Sequence, residues 1–502
     1  MFERKPLASM AAEAGSEKRL RRVLGAAELT GLGIGAIVGA GIFVSTGAAA
    51  RDIAGPALML SFVVAGVTCV FVALCYAELA SMTPVTGSAY TYAYATLGEF
   101  PAWIVGWILV LGYGVSAAVV AQGVSRYFQD LLGVFGLKLP AALTSAAMDY
   151  NPELGRLVAT GKLLDLPAVL VTAIVTVILI VGIRESARFN ALMVVVKLGV
   201  IMFVIGVGAL YVHTEAWTPF APYGLTGINL FGKTISGQHD AGGQPLGMLA
   251  GAAIAFFAYI GFDCVATYSE EARRPRRDVP AGIIASLSIC TVLYIGVTAV
   301  LTGMAPYKTL DTQAPISSAF VQAGLPWARV LISTGALTGI VSVVLVSILT
   351  QTRILLAMAR DGLIPGGLFG ALHERFRTPW KATLFAGIFV AVTSSLLPIG
   401  VLIGLVSIGI LLVYLIVCVG VMVMRRIQPE AERTFRVPFM PVVPLLGVAS
   451  CLLLMLSLPF EHWLRLSVWL LLGLAIYFGY GRRNSALSLI PAATAAASLE
   501  RE

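Results

Sequence analysis

Apolar runs about twenty residues long recur twelve times along this chain, and twenty is the length a helix needs to cross a hydrocarbon core about 30 Å thick. They fall at 28–50, 55–80, 101–132, 166–183, 190–212, 246–269, 281–304, 327–358, 380–398, 401–424, 440–458 and 464–480. No water reaches a bilayer interior to satisfy free backbone groups, so runs of this length commit the chain to helices bonded within themselves. The fold class expected is an all-α polytopic membrane protein with twelve transmembrane helices.

A net charge of +8 would fit nucleic-acid binding, but the placement of the charge excludes it. Lys and Arg concentrate in alternate loops: six before Leu29, four from Arg273 to Arg277, four from Arg360 to Lys381 and four from Arg425 to Arg436. The intervening loops carry scattered ones such as Arg51, Lys138, Lys233 and Lys308. This bias places both termini in the cytoplasm of a multi-pass protein of the plasma (inner) membrane. Residues 1–27 are charged and lack an apolar core, so no cleaved signal is expected. The six cysteines lie inside apolar runs and read as small core residues. The four histidines show no ligand spacing, so neither a metal site nor a cofactor is expected.

Within the first span, Gly31 to Val44 reads GLGIGAIVGAGIFV, with five glycines where a buried helix prefers Ala or Leu. Each interior glycine costs a helix roughly 1 kcal/mol relative to Ala. Close helix packing is one account, since Gly31-xxx-Gly35 and Gly35-xxx-Gly39 fit the small-xxx-small pattern. A broken helix at Gly39-Ala40-Gly41 is the other, and the sixth span favours it. That span reads FFAYIGFD over 256–263, with Gly261 and Asp263 interrupting an apolar run. Asp263 could also sit hydrated at the inner end of its helix; at the bilayer centre it would cost roughly 2.5–3.5 kcal/mol.

Span one runs inward to outward and span six, five helices later, runs the other way. Matching breaks in the first helices of two oppositely oriented five-helix units mark an inverted-repeat transporter. The organisation expected is a cytoplasmic segment 1–27, a first repeat over 28–212, a second over 246–424, an appended pair over 440–480 and a tail over 481–502. Around Gly39, Ala40, Gly41 and Ile42 the outer half-helix of span one offers free N–H groups, which suit a carboxylate. Carbonyls around Ile37 in span one, and around Phe257, Ala258 and Ile260 in span six, suit an ammonium. Donors for an anion and acceptors for a cation in one gap describe an α-amino acid.

These stretches, together with AGPA (54–57), YAELASMTPVTGSAYTYAYATLGE (76–99), GIRESARFN (182–190) and EEARRPRRDVPAGI (270–283), resemble the amino acid–polyamine–organocation superfamily. The match is closest to its bacterial branch similar to cationic amino acid transporters. The resemblance implies a LeuT-type 5+5 inverted repeat with discontinuous helices 1 and 6. It places substrate carboxylate on the amides of Ala40, Gly41 and Ile42, and amine on the carbonyls of Ile37, Phe257 and Ile260. Phe257 matches an aromatic gate, with Asp263 beside it. Lys197 of span five matches a lysine that stands where sodium-dependent relatives bind sodium.

About seven residues into its helix, Lys197 can snorkel to the interface or face the bundle. In the bundle, burial disfavours the charged form. A carbonyl-lined break could then hold the protonated amine and let it go on deprotonation, a route to proton coupling. Cationic relatives carry a glutamate in span three; the matching residue in LVLGYGVS is Gly112. A basic side chain buried without a counter-charge is heavily penalised, so neutral amino acids are favoured. Ile340, Val341 and Ser342 of span eight are expected in the side-chain pocket. Glu78 and Pro84–Gly87 read as residues that fix the loop after span two.

The function expected is proton-coupled symport of L-amino acids. The alternatives are an amino acid or polyamine exchanger and a sensor that binds without transporting. No nucleophile–base pair, metal spacing or phosphate loop supports an enzyme. The partners implied are the substrate and the lipid bilayer, not nucleic acid; an accessory membrane subunit stays open.

Overall fold

The computed structural model describes residues 24–82, 89–151, 156–182, 187–230 and 232–486. The charged segment before Leu24, Pro84–Gly87 and the tail beyond Ala486 lie outside them. The chain is an all-α polytopic membrane protein. Among the described residues eight helical runs are long and apolar enough to cross a membrane, and three shorter apolar helices accompany them.

In chain order, α1 (Ala26–Ile37) is followed by a second helical run, α2, made of Gly41–Ser45, Thr46–Ala49 and Ala50–Ala54. Then come α3 (Leu58–Met82), the short α4 (Ala89–Thr96), α5 (Glu99–Val134), α6 (Leu166–Val181) and α7 (Ala187–Gly208). Next is α8 (Met248–Ala255), prolonged by 3-10 segments at Phe256–Tyr259 and Phe262–Glu271. The rest are α9 (Pro275–Met304), α10 (Pro315–Gln322), α11 (Pro326–Arg360), α12 (Trp380–Leu396), α13 (Ile399–Ile427), α14 (Val442–Leu456) and α15 (Phe460–Ile476).

Helix α3 shows why the sequence carries almost no amphipathic signal. Phe62, Ala65, Cys69 and Val72 are buried, yet its outward stripe is Leu60, Val63, Val67 and Val70. A helix apolar on both faces has protein on one side and lipid on the other. Helix α15 repeats the pattern outward with Leu464, Val468, Leu471 and Leu472, and holds its inner face by stacking Trp469 on Trp107 of α5 at 4.5 Å. The 36-residue α5, about 54 Å long, packs against α11 through the middle of the bundle. All six cysteines are buried with free thiols.

Between α5 and α6, and between α7 and α8, the chain forms short antiparallel hairpins. Met148–Asn151 pairs with Arg156–Ala159, Ile228–Leu230 with Lys233–Ser236, and Gln238–His239 with Pro245–Leu246. Each pairing satisfies backbone groups that a bare loop would leave to water. These loops mark a hairpin end of the bundle; the end with Arg273, Arg274, Arg276 and Arg277 is the basic end. Helix α9 also starts earlier than hydropathy suggests, at Pro275, because proline suits the first helical turn.

At the basic end, Glu78 fixes the connection between α13 and α14. Its carboxylate accepts from Arg425 Nε (2.8 Å) and Nη2 (2.7 Å) and from the Val437 N–H (2.7 Å). The Arg433 Nε stands 3.2 Å away. Glu78 and Arg433 are both almost wholly buried. Removing one partner of a buried ion pair strands the other charge, so Glu78→Ala lowers stability by about 3–5 kcal/mol. Glu78→Gln, which keeps an acceptor, lowers it less. Unfolding of the purified protein in detergent measures both; an alanine variant as stable as the parent would contradict the assignment.

Candidate functional site

Both predicted interruptions are present. Helix α1 stops at Ile37, and Val38 turns extended (φ −74°, ψ 103°). Helical bonding resumes with the Phe43 N–H on the Gly39 carbonyl at 3.3 Å. The N–H groups of Gly39, Ala40, Gly41 and Ile42 find no acceptor among the described residues. The first turn of α2 is π-helical, a local widening that recurs at functional sites. On the facing element, the 3-10 turn after α8 ends at Ile260 in extended conformation (φ −61°, ψ 130°). Gly261 follows at φ +124°, a conformation open to glycine and strained for other residues.

The two gaps lie backbone to backbone. A methyl group built on Gly41 would stand 2.3 Å from Ala258 Cα, and one on Gly261 would stand 2.8 Å from the Ala36 carbonyl oxygen. Each break therefore covers the other. Among the glycines of span one, Gly33 packs on Ser286 of α9 and Gly39 on Val343 of α11, whereas Gly31 faces open space and serves no helix contact.

The site is electrostatically bipolar. The start of α2 presents unbonded N–H groups at the positive end of its dipole, while the ends of α1 and α8 present carbonyls at negative ends. The Tyr294 hydroxyl of α9 lies 3.0 Å from the carbonyls of both Ile37 and Ala258. One hydroxyl carries one proton, so the two acceptors are left one donor short. The Phe257 carbonyl, expected as an acceptor for substrate, takes the Ile260 N–H at 3.3 Å. The arrangement offers donors for a carboxylate and acceptors for an ammonium within one buried gap.

Lys197 does not snorkel. It is fully buried on α7 and donates from Nζ to the Gly35 carbonyl at 2.7 Å, just before the break in α1. Gly339 of α11 makes room for it: a Cβ there would lie 2.9 Å from Lys197 Cγ. Phe257 is buried on the 3-10 turn. Asp263 is also buried, and its Oδ2 accepts from Tyr113 of α5 at 2.7 Å. It thus ties the segment after the second break to the middle of the bundle, away from water.

The side-chain wall is apolar. Ala40, Val44 and Ile340 converge on Gly123 of α5, and Val343 faces Gly39. Val341 and Ser342 are partly exposed, with the Ser342 hydroxyl on the Gly339 carbonyl of its own helix at 3.0 Å. Gly112 is turned to α13, where a Cβ would meet Ile410 at 2.7 Å. Sequence reasoning missed Tyr294, Gly123 and Val343. A lone tyrosine within CTVLYIGVTAV (290–300) was the signal for the first; nothing local distinguishes the other two.

Comparison with known proteins places the chain. The family described as amino acid permease matches residues 24–475. A methylthioribose transporter of Bacillus subtilis is 42% identical over 97% of this chain and 99% of its own length. The branched-chain amino acid permease BcaP of the same organism is 43% identical over 97% and 99%. A vacuolar cationic amino acid transporter 4 of Arabidopsis thaliana is 37% identical over 82% of this chain and 64% of its own. This chain belongs to the amino acid permease family of the amino acid–polyamine–organocation superfamily, whose members are transporters and not enzymes.

Proposed function

We propose that this protein imports neutral L-amino acids with aliphatic side chains, together with protons, across the plasma membrane. The observation that carries the reading is the meeting of two broken helices at Gly41 and Ala258, with free amides on one side and under-donated carbonyls on the other. The amides of Ala40, Gly41 and Ile42 receive the carboxylate; the carbonyls of Ile37 and Ala258 receive the ammonium. The apolar wall of Val44, Ile340 and Val343 receives the side chain, and Phe257 closes the site from the hairpin end.

Twelve spans form two inverted five-helix repeats plus an appended pair, with both termini and the basic end in the cytoplasm. The proton is the coupling ion, and Lys197 carries it. Neutral preference rests on the apolar wall of Val44, Ile340 and Val343, which offers no counter-charge to a basic side chain. A relative named for branched-chain amino acids supports this choice; one of similar identity is named for methylthioribose, so that sugar is the competitor to exclude.

The test is uptake of labelled leucine, arginine and methylthioribose into proteoliposomes, with and without an inside-alkaline pH gradient. Leucine uptake should exceed arginine uptake at least about tenfold, since an unpaired buried charge is penalised by more than 1.4 kcal/mol, and the gradient should raise it. Preferred uptake of arginine or of methylthioribose, or indifference to the gradient, would overturn the corresponding part of the proposal.

A further inference from the structure

Tyr294 of α9 reaches both helix breaks at once. Its hydroxyl stands 3.0 Å from the Ile37 carbonyl at the end of α1 and 3.0 Å from the Ala258 carbonyl in the turn after α8. Among the described residues neither carbonyl takes another donor. Ile37, Ala258 and Tyr294 are exposed by only 3%, 1% and 0%, so bulk water does not make up the shortfall in this conformation.

The ring is held independently of its hydroxyl. It packs on Phe62 of α3 with centroids 5.6 Å apart, and on Tyr259 of the 3-10 turn at 5.4 Å. Tyr259 in turn donates to the Phe62 carbonyl at 2.8 Å. A ring wedged between two neighbours keeps its place when its hydroxyl is removed.

The supply of donors separates the loaded gap from the empty one. A substrate ammonium brings three N–H donors, enough for both carbonyls, whereas the tyrosine brings one proton, enough for one of them at a time. With substrate bound the hydroxyl is dispensable. With the gap empty and closed to water, it is the donor that keeps one carbonyl paired. A buried acceptor without a donor is costly, and that cost falls on the step in which the gap crosses the membrane empty.

We propose that Tyr294 is a positioning residue that stands in for the substrate ammonium while the empty transporter returns across the membrane. This role rests on the proposed amino acid transport and adds a group that serves the unloaded half of the cycle. It is distinct from that of Lys197, whose amine donates to the Gly35 carbonyl and not to the two carbonyls that face the ammonium.

Tyr294→Phe tests this in proteoliposomes filled either with buffer or with unlabelled leucine. Net uptake into buffer requires the empty return; exchange against internal leucine does not. The ratio of the exchange rate to the net-uptake rate should rise about tenfold over the parent's. The KM of net uptake should fall with its rate and not rise, since both carbonyls then await the ammonium. Tyr294→Met, which fills the space without a donor, carries the same comparison if the phenylalanine variant fails to reach the membrane. A hydroxyl that only shapes the site would, on removal, slow both modes alike or raise KM. Either of those results, or an unchanged ratio, would overturn the role while leaving transport intact. Parent proteoliposomes with no net leucine uptake would overturn the import reading and this role with it.

Discussion

Lys197→Met should abolish accumulation driven by a pH gradient while leaving substrate exchange in place. Methionine matches lysine in length and flexibility, so the slot beside Gly339 stays filled. The change removes the donor to the Gly35 carbonyl and the ammonium proposed to carry the proton. With one proton per substrate, a gradient of one pH unit supports about tenfold accumulation, equivalent to 1.36 kcal/mol. In the variant the ratio should fall to that seen without a gradient. Counterflow against unlabelled leucine needs no net proton movement and should persist. Loss of both activities together would give Lys197 a structural role only. Accumulation at the parent's level would remove it from coupling altogether.

How far the sequence reached depended on whether a signal was local. The breaks at Gly39–Gly41 and Gly261 were legible because each disturbs an otherwise continuous apolar run, and a bilayer makes such a disturbance expensive. Lys197 was legible as a charge in a span, but its direction was not: snorkelling and burial have the same sequence, and only the space over Gly339 decides between them. Val341 and Ser342 were named where Val343 faces Gly39, because the rotation of a helix apolar all round leaves no periodic trace. Tyr294 reaches the Ile37 carbonyl 257 positions away in sequence, and no spacing rule connects such residues. The short hairpins lay hidden for a different reason, since two- to four-residue strands have too few side chains to show alternation.

Gly261→Ala should reduce uptake to below about one hundredth of the parent without unfolding the protein. At φ +124° an L side chain is strained by about 1–3 kcal/mol. The added methyl also falls 2.8 Å from the Ala36 oxygen and 2.9 Å from its carbonyl carbon, backbone atoms that cannot rotate away. Overpacking of this kind adds about 1–3 kcal/mol, and the sum corresponds to a loss of order a hundredfold or more. Relief requires the second break to move off the first, which separates the amides at Ala40–Ile42 from the carbonyls at Ile37 and Ala258. Gly41→Ala should act in the same way, with its methyl 2.3 Å from Ala258 Cα. Gly31→Ala, in the same glycine-rich stretch but facing open space, gains helix propensity of roughly 1 kcal/mol and should transport normally. Uptake by the three variants at equal amounts of folded protein separates a site made of touching backbones from a general need for glycine. Normal uptake by Gly261→Ala would mean that the two gaps do not have to meet for substrate to cross.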